Sequence, residues 1–512
     1  MSIILREYQN NQLDFIKRKL PGKLPIAIES PTGSGKTIVI LQFIKEYFEK
    51  HPENDFTIVL STGFNKLVHQ FAEEAKKFEL KPIKWMGKAC VSCKLRIMQI
   101  KKLKDLPGIN DFEHFSPNRE YWPKNINCFK TCKHYNECYY TESRLKLKSL
   151  GPKFIITNHS SYLIAINNNI FMPDIAFIDE SHTFGSFYES YLKIEITKSE
   201  IEFIKNQLDN KDPTLILFKR CIEKGIKITP QLFRQIKRKL EGKKVNTEEI
   251  KLDLINRLER FSEEKPSIDK FIEVSNNGIE IIKFWSMYEV MQAQINYILF
   301  SATQDDFTLE MFDVLPSRLY IEEGCNTIDY SKSEFIVVPE EKFSDGINKF
   351  LLRMKEKNRN KGLVLSTTMV DINYMENEKE IQGYKVFRDR DIDKFLKYKG
   401  NSILIGSRGL FQGIDIPDLN FVCLNRIPFP TYDDKFKAQA NYLEKVARIN
   451  AWRKFTIPQV KNDITQTTGR LWRKPGDKGT ICIMDPRLTT RFKYMIKYIE
   501  EVRKGIKVEI LE

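Results

Sequence analysis

Residues 26–48 read IAIESPTGSGKTIVILQFIKEYF. Ile26–Ile28 is a short apolar run, followed by a loop rich in Pro and Gly and then by Lys36 and Thr37. Beyond them Ile40, Leu41, Ile44, Tyr47 and Phe48 recur at helical spacing. A strand, a glycine loop and an amphipathic helix in that order form a phosphate-binding P-loop. Gly33 and Gly35 let backbone N–H groups around Ser34 converge on phosphate oxygens at a helix N-terminus. Lys36 is placed to reach the β- and γ-phosphates of ATP, and the Thr37 hydroxyl to ligate Mg²⁺. The leading glycine of the general pattern is Ser30 here.

A P-loop needs a second carboxylate site, and PDIAFIDESHTF (173–184) supplies one. An apolar strand over Ile175–Ile178 ends in Asp179, placed to share the Mg²⁺, and Glu180, placed to orient and deprotonate water. Further apolar runs form two series. The first adds Phe56–Leu60, Phe154–Thr157 and Tyr297–Phe300. The second holds Leu363–Leu365, Ile403–Ile405, Phe421–Leu424 and Thr480–Met484. Such runs alternating with helical stretches predict an α/β fold with two parallel sheets, each covered on both faces, and ATP between them.

The chain has 512 residues, 41% hydrophobic and 29% charged, with a formal charge of +15. It is globular in composition and lacks the apolar run of roughly 20 residues that a membrane helix needs. The N-terminus carries no secretory signal pattern, so a cytoplasmic, reducing location is expected, which argues against structural disulfides. Residues 81–150 hold fifteen Lys/Arg against six Asp/Glu, interleaved with aromatic side chains. That mixture suits single-stranded nucleic acid, and equally a solvated basic face. Five of the nine cysteines, Cys90, Cys93, Cys128, Cys132 and Cys138, fall in this segment. Their chemistry fits a tetrahedral zinc site, with His134 as an alternative ligand, or a [4Fe–4S] cluster.

Several motifs then resemble, in order, the superfamily 2 helicases of the XPD/DinG-like branch. LREYQ (5–9) is similar to the adenine-reading Q motif, with Gln9 as its key residue. FTIVLSTGFNKLVHQ (56–70) is similar to motif Ia, with Thr62 at its strand end. DESH (179–182) is a DEAH variant, and LFSAT (299–303), GLVLSTT (362–368), NRIPFP (425–430) and DKGTICIMDPR (477–487) are typical of the branch. GSRGLFQGIDIPDLN (406–420) resembles WEGVDIPG, and QTTGRLWR (466–473) matches Q-x-x-G-R-x-x-R. The resemblance implies phosphate-sensing roles for Gln466, Arg470 and Arg473, and nucleotide contacts for Gly413 and Asp415. It implies nucleic-acid contacts for Thr62, Asn158, His159, Thr367 and Phe411. It also favours [4Fe–4S] over zinc, with Cys93, Cys128, Cys132 and Cys138 as ligands and Cys90 as a spare.

The implied organisation is a RecA-like motor domain in three parts (1–84, 151–190 and 289–305) and a second motor domain over 306–512. An iron–sulfur insertion occupies 85–150, and a helical arch-like insertion 191–288. The expected activity is that of a monomeric ATP-dependent DNA helicase, moving 5′ to 3′ on single-stranded, forked or bubble DNA or RNA–DNA hybrid, with no membrane partner. Alternatives are a translocase that displaces proteins and a nucleic-acid scaffold with a degenerate ATPase. A fused N-terminal nuclease is not expected, since Gln9 leaves no room before it.

Overall fold

In the computed structural model, the described residues are 4–31, 34–86, 139–226, 228–241, 248–263, 270–275, 278–283, 294–322, 329–407, 416–430, 432–446, 448, 450–472 and 476–511. Helix α1 (Glu7–Lys19) precedes β1 (Ile26–Glu29), which runs through the loop into α2 (Lys36–Lys50). The first sheet adds β2 (Thr57–Thr62), β3 (Ile83–Trp85), β4 (Lys153–Asn158), β5 (Ile175–Asp179), β9 (Asn296–Ser301) and β10 (Leu319–Ile321). All pairs are parallel, in the order β10-β1-β9-β5-β2-β4-β3. The P-loop strand and the DESH strand therefore flank β9, whose end carries Ser301. Parallel strands bring their carboxyl ends to one edge, where ligands of such sheets bind.

The second sheet contains β11 (Glu334–Val337), β12 (Lys361–Leu365), β13 (Glu380–Ile381), β14 (Tyr384–Arg388), β15 (Ser402–Gly406), β16 (Phe421–Leu424), β17 (Thr480–Ile483) and β18 (Lys507–Ile510). Its order is β13-β14-β15-β12-β16-β17-β11-β18, antiparallel only at β13–β14. Apolar side chains on both faces of each sheet are buried under helices, so the strands read as continuous apolar runs. This is the two-sheet α/β fold expected from the sequence.

Two features depart from the expectation. β10 pairs in register with β1 (Ala27 with Leu319), so the first sheet runs on past residue 305 to Ile321. The segment expected to be a helical arch-like insertion (191–288) holds helices at Lys198–Gln207, Pro213–Lys224, Pro230–Glu241 and Glu248–Glu263. It also holds β6 (Ile194–Thr197), β7 (Lys270–Ser275) and β8 (Gly278–Lys283) in an antiparallel sheet. Alternating FIEV and IEII drive that pairing, because Ile279 and Ile281 face the helices while Glu280 does not. Among the described residues no helix is long and apolar enough to cross a membrane.

Candidate nucleotide and nucleic-acid sites

Gly35 ends the loop at φ +81°, and a Cβ there would lie 2.5 Å from Gln9 Nε2. The left-handed φ favours glycine here, and a Cβ would also push the Gln9 amide off its contact with Ser34. Gln9 Nε2 donates to the Ser34 carbonyl at 3.0 Å, as does the Tyr8 hydroxyl at 3.0 Å. Gln9 Oε1 accepts the Arg6 N–H, capping α1. The residue expected to read adenine thus also braces the loop that holds phosphate.

Glu180 adopts a left-handed backbone at φ +49°, which turns the chain sharply after Asp179 at the end of β5. Lys36 Nζ lies 3.2 Å from Glu180 Oε1, bringing the P-loop lysine onto the DESH carboxylate. Burial, reinforced by the Glu180 charge, pushes the Asp179 carboxyl up to about 7. Burial acts to raise Glu180 too, but the Lys36 ammonium and His182 outweigh it and hold that carboxyl below its ordinary value. Glu180 Oε2 is buried without a hydrogen bond, with His182 Nδ1 3.6 Å away. Two adjacent carboxylates with an unfilled acceptor fit a site for a divalent cation shared with Thr37. Thr37 stands in the first turn of α2.

His182 joins the two sheets' units. Its Nδ1 meets Ser301 Oγ at 2.7 Å, while Gln466 Nε2, on the helix Ile457–Thr468 of the second unit, hydrogen-bonds to its ring. Asn462, one turn earlier, donates to Asp305 at 3.2 Å. Arg470 follows in the turn Gly469–Leu471, largely buried, and desolvation draws its guanidinium down to about 10, so it remains charged at neutral pH. Lys36, Asp179, Glu180, Gln466 and the Arg470 turn are thereby carried on two units that meet at His182.

The expected nucleic-acid contacts divide. His159 is fully buried, its Nδ1 2.7 Å from Ser61 Oγ and its Nε2 3.1 Å from the Asp179 carbonyl. Burial lowers its imidazole to about 3, so it is neutral. Thr62 is equally buried, and the Asn158 amide caps the following helix through the Ser161 N–H and donates to Asn65. In this structure all three side chains are buried, with His159 and Asn158 bonded to neighbouring protein groups. Thr367 is exposed beside Met369 and Val370, at the start of a helix over Met369–Glu378.

The sequence reading missed an aromatic column in the second unit. Phe429 stacks on Trp452 (5.4 Å, 19°) and meets Phe492 at 4.8 Å. The Arg487 guanidinium lies 5.4 Å from the Phe429 ring and is held by a paired contact to Asp485 (2.9 and 2.7 Å). Arg491 lies 5.6 Å from Phe492, and Trp452 is 43% exposed in a π-helical turn. The exposed Trp452 face, backed by Phe429 and near the fixed Arg487 guanidinium, can stack an unpaired base beside a charge for its phosphate. The signal was present in NAWRKF (450–455) and RLTTRFKY (487–494), where aromatic and basic residues alternate.

Gly33, Phe411, Gly413, Asp415, Arg473, Cys90, Cys93, Cys128, Cys132, His134 and Cys138 lie outside the described residues. Among the described residues Cys221, Cys423 and Cys482 are free buried thiols, and no cluster of three or more His, Cys, Asp or Glu side chains gathers as a metal site.

A helicase C-terminal domain family matches residues 342–503, and the type III restriction enzyme res subunit family matches residues 2–208. DinG of Bacillus subtilis (strain 168), named a 3'-5' exonuclease, is 33% identical over 99 residues, 19% of this chain and 11% of that protein. DinG of Mycobacterium tuberculosis (strain H37Rv), named an ATP-dependent helicase, is 30% identical over 101 residues, 19% of this chain and 15% of its own. The aligned stretches thus span only 11% and 15% of these relatives. An XPD helicase structure superposes with a TM-score of 0.67 at 14% identity, covering 100% of both chains. S. tokodaii Xpd4 gives 0.61 at 15% identity, covering 99% of this chain and 100% of that one; both share the fold. The helicase C-terminal match, the res-subunit match, the short DinG alignments and the shared XPD architecture together support an XPD/DinG-like superfamily 2 helicase.

Proposed function

We propose that the chain is an ATP-driven DNA helicase that moves 5′ to 3′ on single-stranded DNA and opens forked or bubble duplexes, D-loops or RNA–DNA hybrids. The observation that carries this reading is the contact of Gln466 with His182 beside the Lys36–Glu180 pair. A nucleotide site completed by two units lets ATP binding and hydrolysis alternately close and open them. In this reading Lys36 holds the β/γ-phosphates, Thr37 and Asp179 hold Mg²⁺, and Glu180 positions the attacking water. Gln9 keeps one Nε2 hydrogen and one Oε1 lone pair for a purine edge. Gln466, Arg470 and Arg473 approach the γ-phosphate from the second unit, where guanidinium charge stabilises the phosphoryl group in transfer. Mg²⁺, when bound, neutralises charge on the β- and γ-oxygens. Gly413 and Asp415 complete the nucleotide contacts from the second unit, and Phe411 joins those to DNA.

Exposed Thr367 and the Trp452 column support a strand path across the second unit. The chemistry of four thiolates at Cys93, Cys128, Cys132 and Cys138 suits a [4Fe–4S] cluster in a basic insertion at 85–150, with zinc as the competing occupant. Anaerobically purified protein is expected to be brown and to lose its colour in Cys132→Ser; a colourless preparation with stoichiometric zinc overturns the cluster. Strand displacement on 5′-tailed and 3′-tailed duplexes tests the motor. Opening of the 5′-tailed substrate alone is expected, and opening of the 3′-tailed one alone refutes the polarity.

A further inference from the structure

Ser30 occupies the position where the P-loop pattern carries glycine, and its hydroxyl is engaged on both sides. It donates to Ser34 Oγ at 2.7 Å and accepts from Gln12 Nε2 at 3.0 Å. Gln12 Nε2 also donates to Glu322 Oε2 at 3.3 Å, and that oxygen accepts the Tyr320 hydroxyl at 3.0 Å. All four members, Gln12, Ser30, Ser34 and Glu322, are buried.

The orientation of the Gln12 amide is fixed by charge. A carboxylate only accepts hydrogen bonds, so the nitrogen must face Glu322, and the reverse orientation would oppose two oxygens. That choice leaves Gln12 Oε1 buried with no hydrogen bond, a cost tolerated because Nε2 serves two acceptors. Ser30 spends its only proton on Ser34, so the donors run one way, from Gln12 to the loop. Tyr8 and Gln9 on the same helix grip the Ser34 carbonyl, making α1 a brace for this one loop residue.

The far end of the chain has a definite place in the topology. Glu322 directly follows β10, the strand that lies beside β1, and its N–H donates to the Glu29 carbonyl at 2.9 Å. Residues 323–328 then lead in sequence to the second unit, whose first strand is β11. Glu322 thus stands both next to the root of the P-loop and where the chain leaves the first sheet.

We propose that Gln12, Ser30 and Glu322 are positioning residues that set the P-loop for nucleotide phosphate and tie its geometry to the point where the chain departs for the second unit. The relay rests on the nucleotide reading above and adds to it a coupling between α1, the loop and the exit of β10. Ser30 is the element that makes it work, since glycine at that position offers no hydroxyl to pass the contact on.

A fluorescent ATP analogue titrated into the full chain, with steady-state ATPase and thermal melting alongside, tests it. Gln12→Leu and Ser30→Ala should each raise the Kd and the KM for ATP by about 5- to 20-fold, the worth of one buried hydrogen bond. Turnover at saturating ATP should stay within about twofold, because no group facing the reacting phosphate has changed. The double variant should be no worse than the weaker single one, the signature of a shared path. Glu322→Gln, which still offers an acceptor to Gln12, should keep affinity near that of the unmodified chain, and Glu322→Leu should match Gln12→Leu. Unchanged affinities in folded Ser30→Ala, or effects that multiply in the double variant, overturn the relay. Should the unmodified chain bind no ATP, the nucleotide reading itself falls and the relay falls with it.

Discussion

The carboxyl ends of β2 and β12 occupy corresponding places in the two parallel sheets, yet one is sealed and the other open. At the end of β2, Ser61 and Thr62 are buried beneath His159, whose ring meets Phe184 and Phe187 edge-on at 5.0 and 5.2 Å. At the end of β12, Asn425 crosses from β16 to accept the Thr367 N–H at 3.0 Å and donate to Ser366 at 2.9 Å. Beyond it Met369 and Val370 stand 55% and 77% exposed. The first tip is wired to the Asp179 carbonyl and so to the nucleotide carboxylates; the second is free to meet a ligand from solvent. Under the proposed function this becomes a division of labour, with one tip answering to ATP and the other to the strand.

Breaking the sealed tip should have the largest effect. His159→Leu removes both ring hydrogen bonds and leaves the Ser61 hydroxyl and the Asp179 carbonyl buried without them. A loss of about 2–4 kcal/mol in stability is expected, visible as a lower melting temperature. ATP turnover in the folded fraction should fall by about tenfold or more, as misplacement near a reacting group does. Nucleotide-free binding to single-stranded DNA should change little. Trp452→Ala should do the reverse, weakening single-strand binding by about 5- to 100-fold through loss of one stacking face, with the KM for ATP unmoved. Fluorescence anisotropy on a labelled oligonucleotide measures it. Thr367→Ala should be mildest, about two- to threefold in the same assay, as befits one exposed hydroxyl. If His159→Leu weakened DNA binding more than ATP turnover, the division between the two tips would be wrong.

Much of this architecture was legible in the sequence because parallel strands buried on both faces leave unbroken apolar runs, as in IVLS and FIIT. All nine runs read that way fall within the two sheets. Strands at or near the sheet margins gave no such run: β10 is three residues long, β13 two, and β14 (YKVFR) and β18 (KVEI) interleave charged with apolar residues. The antiparallel hairpin of β7 and β8 was hidden within a charged stretch read as helical. The Asn277–Gly278 pair between two alternating runs was the available clue.

At the site, the P-loop and DESH residues could be named because their spacing is local. The burial of His159 could not, since it depends on Phe184 and Phe187 arriving from another element. Ser30 looked like a tolerated departure from the pattern, and only its contacts with Gln12 and Ser34 give it a role. The aromatic column escaped for a similar reason: Phe429, Trp452 and Phe492 lie on three separate segments.

The claim that the two units form one DNA-responsive motor is tested most directly by ATP turnover with and without single-stranded DNA. The account predicts stimulation of the unmodified chain by about tenfold or more. It also predicts loss of turnover by about 10³-fold in Lys36→Ala, with its oligonucleotide binding retained. Turnover indifferent to DNA, or a Lys36→Ala variant that hydrolyses ATP at the unmodified rate, would contradict it.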